Sequence, residues 1–188
     1  MTSTKLSRSL LTMVEGGRVD VMQLEADNRF WALAKALTNQ PIGSLRQQYM
    51  SPLLAIDPGE TTGIAIWEPV ERRILLGQLI TKDVGIGFDG VHVLASQVSH
   101  VRYEDYRVYG HMTEQHAFQN LHTAQMIGAI KVACHLAQVQ HSTCLAMHAK
   151  AFWTDSKLKM CNLYSPGMKH ARDAERHLLR YMCEVRNG

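Results

Sequence analysis

The sequence predicts an α/β protein with a mixed five-stranded sheet and helices on its faces. Two short apolar runs, residues 53–56 and 63–67, flank the turn signal Pro58-Gly59; this is the pattern of two buried strands joined as a hairpin. A third strand-length run follows at residues 73–81, with Ile74, Leu76 and Leu79 supplying apolar bulk. Beyond it, helical and strand patterns alternate, which is how a sheet acquires helices on its faces.

The remaining elements follow in order. Gly85, Gly87 and Gly90 make residues 85–90 read as a flexible bend, and residues 91–99 read as a helix leading into the next strand. Residues 101–109 are β-prone, with aromatic and β-branched side chains around a central Glu104-Asp105 pair. Residues 117–138 place Leu121, Ala124, Ile127, Ala129, Ile130, Ala133, Leu136 and Ala137 at a period near 3.6, as in a core-packing helix. A short strand at 141–145, a helix or loop-helix at 147–160, a Pro166-Gly167 break and a final helix over about 168–183 complete the pattern.

The chain divides into a helical N-terminal segment, residues 1–49, and a main domain, residues 50–188. Gly16-Gly17 reads as a helix stop, Asp20 with Gln23 as a capping box, and Phe30, Leu33, Ala34 and Leu37 as one apolar helical face before Pro41. Packing on the core or on a second subunit is the favoured role for this segment, ahead of helix-turn-helix DNA binding. Met50 stands just before the first strand, so translation from Met50 is an open alternative.

Composition sets limits. With 188 residues and 46% apolar content, the chain has material for one good core and an appendage. It has no apolar run of membrane-spanning length and no signal-peptide core, so a cytoplasmic protein is expected. Cys134, Cys144, Cys161 and Cys183 form no C-x-x-C pair and suit reduced core thiols. The formal net charge of +3 is uneven: residues 51–150 carry seven basic and nine acidic side chains, residues 151–188 seven and four. An acidic middle beside a basic segment suits metals where a phosphate is cut and cations where it is held.

Three segments carry chemistry. Ile56-Asp57-Pro58-Gly59, with Thr62-Gly63, places one carboxylate at the mouth of an apolar hairpin. Unpaired there, it would cost roughly several kcal/mol, or else it organises the turn. Glu104 and Asp105 lie mid-strand; alternation turns them to opposite faces, so only one joins Asp57. In the segment from Lys169 to Leu179, His170 and Asp173 stand three apart on one helix face, from which both reach a single metal ion. Singly, each reads as a turn residue, an edge charge or a solvated helix face.

Together these segments resemble the RuvC-like branch of the RNase H-like nucleases, over about residues 51–185. The likeness is strongest to phage-type members carrying His-Ala-Arg-Asp-Ala-x-Arg-His, which here begins at His170. The resemblance implies an RNase H-like fold and cleavage of Holliday junctions or other branched DNA in recombination and repair, in a host bacterial cytoplasm if phage-encoded. It implies two divalent ions about 4 Å apart, on Asp57, Glu104 and Asp173. His170 would serve as a further ligand or water-activating base. Mg2+ suits the carboxylates and Mn2+ the imidazole. DNA contacts are expected from Thr61, Thr62, Lys150, Lys157 and Arg172, and a homodimer would present two sites to a four-way junction. No organic cofactor and no membrane partner are expected.

Smaller features have plainer readings. Phe152-Trp153 is a core pair ahead of a base-stacking platform, Arg176 pairs with phosphate or with Glu175, and His177 is structural. Other functions stay open: an RNase H-like nuclease acting on RNA or non-junction DNA, a sugar-kinase or actin-type ATPase, and a catalytically idle DNA-binding or assembly protein.

Overall fold

The structure is a computed structural model that describes residues 20–26, 28–39, 41, 49–105 and 117–184. Their elements are β1 (Asp20–Glu25), α1 (Asn28–Thr38), β2 (Leu53–Asp57), β3 (Thr61–Glu68), β4 (Arg73–Ile80), α2 (Val84–Ala95), β5 (His100–Asp105), α3 (Ala117–Leu136), β6 (Gln140–Leu145), α4 (Ala146–Phe152), α5 (Asp155–Met160) and α6 (Lys169–Met182). The strands form one mixed sheet in the order β1-β4-β3-β2-β5-β6. β1, β4, β3 and β2 pair antiparallel, whereas β2-β5 and β5-β6 are parallel.

Strand alternation sorts the core into two layers. Leu54, Ile56, Ile64, Ile66, Val101 and Tyr103 face Val91, Leu94 and Ile130 of α2 and α3. Leu53, Ala55, Ala65, Trp67 and Leu76 face Ala171, Ala174 and Leu178 of α6, together with Trp153 and α1. Both faces of the central strands are therefore covered, and β2 and β3 read as nearly continuous apolar runs for that reason.

The sheet has six strands among the described residues, not five. The additional one is β1, where Asp20 and Gln23 had the spacing of a helix cap. Met22 and Leu24 pack toward the core while Gln23 and Glu25 are exposed, a period of two that overrides the capping pattern. The helical face at Phe30, Leu33, Ala34 and Leu37 forms as α1 and packs on the α6 layer. Gly16-Gly17 and residues 106–109 lie outside the described residues.

The glycines of residues 85–90 make no bend but lie inside α2. A Cβ on Gly87 would stand 2.8 Å from the Met126 methyl carbon, so close contact with α3 explains a glycine that helix propensity disfavours. All four cysteines are buried free thiols. No helix among the described residues is long and apolar enough to cross a membrane.

Candidate active site

Asp57 is the last residue of β2 and Glu104 the last but one of β5, and these strands are parallel neighbours. Their carboxylates emerge at one carboxyl-terminal edge of the sheet, where open α/β sheets hold ligands. Alternation turns Asp57, with Leu53 and Ala55, toward α6. Glu104 shares that side and reaches His177, whereas Asp105 acts on Tyr103 in the opposite layer. The Asp57 turn is closed by hydroxyls: Thr81 donates to the Gly59 carbonyl at 2.5 Å, and the Thr62 hydroxyl lies 2.8 Å from that of Thr81 and 3.1 Å from the same carbonyl.

Helix α6 supplies the other half. A Cβ on Gly63 would lie 2.0 Å from the His170 carbonyl oxygen, so only glycine at this position of β3 lets the first turn of α6 come so close. Gln78 of β4 accepts from the backbone N–H groups of His170 (3.0 Å) and Ala171 (3.4 Å), satisfying helix donors that have no partner within the helix. With its N-terminus fixed on β3 and β4, α6 carries His170, Asp173 and His177 along its sheet-facing side.

Each acid has a basic partner. His170 Nδ1 donates to Asp57 Oδ2 at 3.0 Å. His177 Nε2 lies 3.3 Å from Glu104 Oε2. Asp173 accepts from Lys150 Nζ at 3.0 Å and from Arg176, which also binds Asp155. Among the described residues, no three His, Cys, Asp or Glu side chains converge tightly enough to form a preassembled ion cage.

The acids nonetheless act on one another. Burial pushes the Asp57 carboxyl up to about 6, and Glu104 and Asp173 push in the same direction against the His170 hydrogen bond. Burial pushes Glu104 up as well, but the His177 ring, Asp57 and Lys150 outweigh it and leave Glu104 below its ordinary value. His170 is raised, chiefly by its hydrogen bond to Asp57. His177 is held up to about 9, its burial being outweighed by Cys144 and Glu104.

Among solved structures, the chain is similar to Thermus thermophilus RuvC in complex with a Holliday junction substrate. The identity is 20%, covering 73% of this chain and 96% of that one, with a TM-score of 0.59. A second T. thermophilus RuvC structure gives 19% identity, coverage of 70% and 93%, and a TM-score of 0.54. The fold is RuvC-like. In sequence, the chain matches no protein-family model and no curated protein.

On this RuvC-like frame the expected DNA-binding residues separate. Lys150 borders the acids, with its side chain 48% exposed. Thr61 is half-buried at the start of β3. The contact expected of Thr62 falls away, because Thr62 is fully buried and its hydroxyl bonds Thr81 at 2.8 Å. Lys157 donates to the Phe152 carbonyl (2.6 Å) and Arg172 to the Ser165 carbonyl (2.7 Å), so both hold the α4-to-α6 connection. Trp153 is core, while Phe152 is half-buried beneath Lys157 and Arg180. Arg176 binds Asp173 and Asp155; Glu175, its expected partner, is buried with both oxygens unbonded.

Sequence reading missed Gln78, the pairing of Arg176 with Asp173, and the approach of His177 to Glu104. Only His177 left a signal: His170, Asp173 and His177 recur at three and four residues, the spacing of one helix face.

Proposed function

We propose that this chain is a metal-dependent, structure-selective endodeoxyribonuclease that hydrolyses phosphodiester bonds in Holliday junctions or other branched DNA. The observation that carries this reading is the meeting of Asp57, Glu104, His170 and Asp173 at one sheet edge of a RuvC-like fold. The likeness to a structure described with a Holliday junction substrate supports the choice of branched DNA.

The donor set fits a hard divalent cation. Buried Asp57 is pushed up partly by Glu104 and Asp173, a repulsion that a cation bound among them relieves. Asp57, Glu104 and Asp173 would hold Mg2+ through oxygen, and the His170 imidazole extends the set toward Mn2+. Bound divalent ions supply Lewis-acid charge for the phosphate and lower the pKa of a bound water.

The residues have separate tasks. Asp57 and Glu104, on rigid strand ends, would hold the cations that receive the reacting phosphate. His170, oriented by Asp57 through Nδ1, has one ring nitrogen left, Nε2, which ligates Mn2+ or, with Mg2+ held by the carboxylates alone, takes the proton of the attacking water. Lys150 holds a phosphate oxygen, and Thr61 lines the approach of the backbone. Cleavage leaves a 5′-phosphate.

The same reading includes a homodimer. Leu121, Val132 and Leu136 are 56%, 52% and 58% exposed. They lie on one side of α3, with exposed Ala124 and Gly128 between them. A helix face that is apolar at its ends and small at its middle suits close packing on a second copy.

Cleavage of labelled four-way, flap and linear DNA by wild type and Asp57→Asn, with Mg2+, Mn2+ or chelator, tests the proposal. Paired cuts in the junction that need metal and vanish in the variant are the expected result. Junction binding by folded wild type without cutting in any metal would instead indicate a catalytically idle binding protein. Equal cutting of matched RNA would move the substrate class.

A further inference from the structure

Glu104 is held differently from the other acids. Asp57 has a short side chain on a fully buried strand and a hydrogen bond from His170. Asp173 is gripped by Arg176 from within the protein and by Lys150 from the solvent side. Glu104 has one more rotatable bond than an aspartate and sits near the end of β5, just before residues outside the described set. A longer carboxylate at a strand end loses more rotamer entropy when fixed, so holding it in one place requires a specific partner.

That partner is His177. It is fully buried on the sheet-facing side of α6, one turn beyond Asp173 and two beyond His170. Its Nε2 lies 3.3 Å from Glu104 Oε2. The Cys144 thiol, on the strand position registered with Glu104, neighbours the ring, while His177 Nδ1 is buried without a hydrogen-bond partner. A half-satisfied buried imidazole is a costly core filler, and a leucine would fill the same layer without an orphaned nitrogen. An apolar replacement would lose its contacts with Glu104 and with Cys144, and of these Glu104 is the acid of the candidate site.

We infer that His177 is a positioning residue: it clamps the Glu104 carboxylate from inside the protein, so that Glu104 faces Asp57 and Asp173 across the site. The inference rests on the metal-nuclease reading above. Groups that orient ligating side chains in this way commonly change metal affinity by about 10–100-fold when removed.

The test is Mn2+ binding without DNA, titrated by electron paramagnetic resonance, on wild type, His177→Leu, His177→Gln, Glu104→Gln and the double variant His177→Leu/Glu104→Gln. Thermal unfolding of each establishes that it is folded. The leucine variant should weaken Mn2+ binding by about 10-fold or more. The glutamine variant, whose amide N–H reaches toward the Nε2 position, should recover most of it. In the Glu104→Gln background the leucine substitution should add nothing, because the two changes remove one interaction. Junction cleavage should follow the same order at low Mn2+ and converge at saturating Mn2+.

Wild-type affinity in a folded leucine variant overturns the inference and leaves the nuclease reading intact. So does an equal loss in both Glu104 backgrounds, which would make His177 a packing residue. If the leucine variant does not fold, His177→Asn replaces it: its amide is too short to reach Glu104, so equal Mn2+ affinities for the asparagine and glutamine variants overturn the inference. Wild type that neither binds Mn2+ nor cuts any DNA overturns both readings.

Discussion

At the residue scale, two positions define how little the α6 layer tolerates. Gly63 meets the His170 carbonyl, so Gly63→Ala forces the helix start off β3. We expect a loss of about 1–3 kcal/mol or more from this overpacking, read by denaturant unfolding, with DNA cleavage falling further than stability because His170 moves. Glu175 has the opposite problem: it is buried, both oxygens are unbonded, and burial holds its carboxyl well above the ordinary value against Arg176 and Arg172. Below about pH 4.5 it is protonated whether folded or unfolded and has no effect on stability. As pH rises past that point only the unfolded chain ionises. Stability then falls by up to about 1.4 kcal/mol per pH unit until the folded value is reached. Glu175→Gln should remove this slope and raise the melting temperature at pH 7, and thermal unfolding from pH 4 to 8 measures both. A variant less stable than wild type at pH 7 would show that ionised Glu175 is compensated.

At the element scale, α6 is aligned by its first turn. Gln78 accepts two backbone donors there, so Gln78→Leu should cost about 1 kcal/mol, as the loss of a helix cap does. Gln78→Glu keeps an acceptor and adds a charge favourable to the helix dipole. Cleavage restored by glutamate and not by leucine would tie the effect to the start of α6; equal losses would tie it to the sheet. This scale also shows what sequence makes legible. Asp57 and Glu104 lie on strands of clear pattern, and His170 and Asp173 share a helix, so their grouping follows from periodicity and order. Gln78 and the Arg176-Asp155 pair are contacts between elements distant in sequence, and a polar residue at an ordinary position carries no mark of them. The β1 strand failed to show for another reason: a six-residue segment fits both a cap and an alternation, and only pairing with β4 decides between them.

At the scale of the whole molecule, β1 and α1 share the core of the main domain. Phe30 and Trp31 are buried against Trp153 and Trp67, with ring centroids 5.8 and 6.1 Å apart. Trp31→Ala should therefore cost about 3–5 kcal/mol, and a chain begun at Met50 should unfold at markedly lower denaturant than the full chain. Coincident unfolding curves would make the N-terminal elements an independent appendage. On the far layer, Val132→Lys should convert the proposed dimer to a monomer in sedimentation velocity while leaving the fold intact, because Val132 is exposed on α3.

The dependence of the candidate site on α6 has a further consequence, which concerns time. Ribosomes deliver β2 and β5 long before α6, and His170 and Asp173 arrive more than a hundred residues after Asp57. Until that helix docks on Gly63 and Gln78, the nascent chain holds Asp57 and Glu104 without the rest of the set. On the proposed nuclease reading, the metal-binding set cannot assemble until α6 has been made and has docked on the sheet.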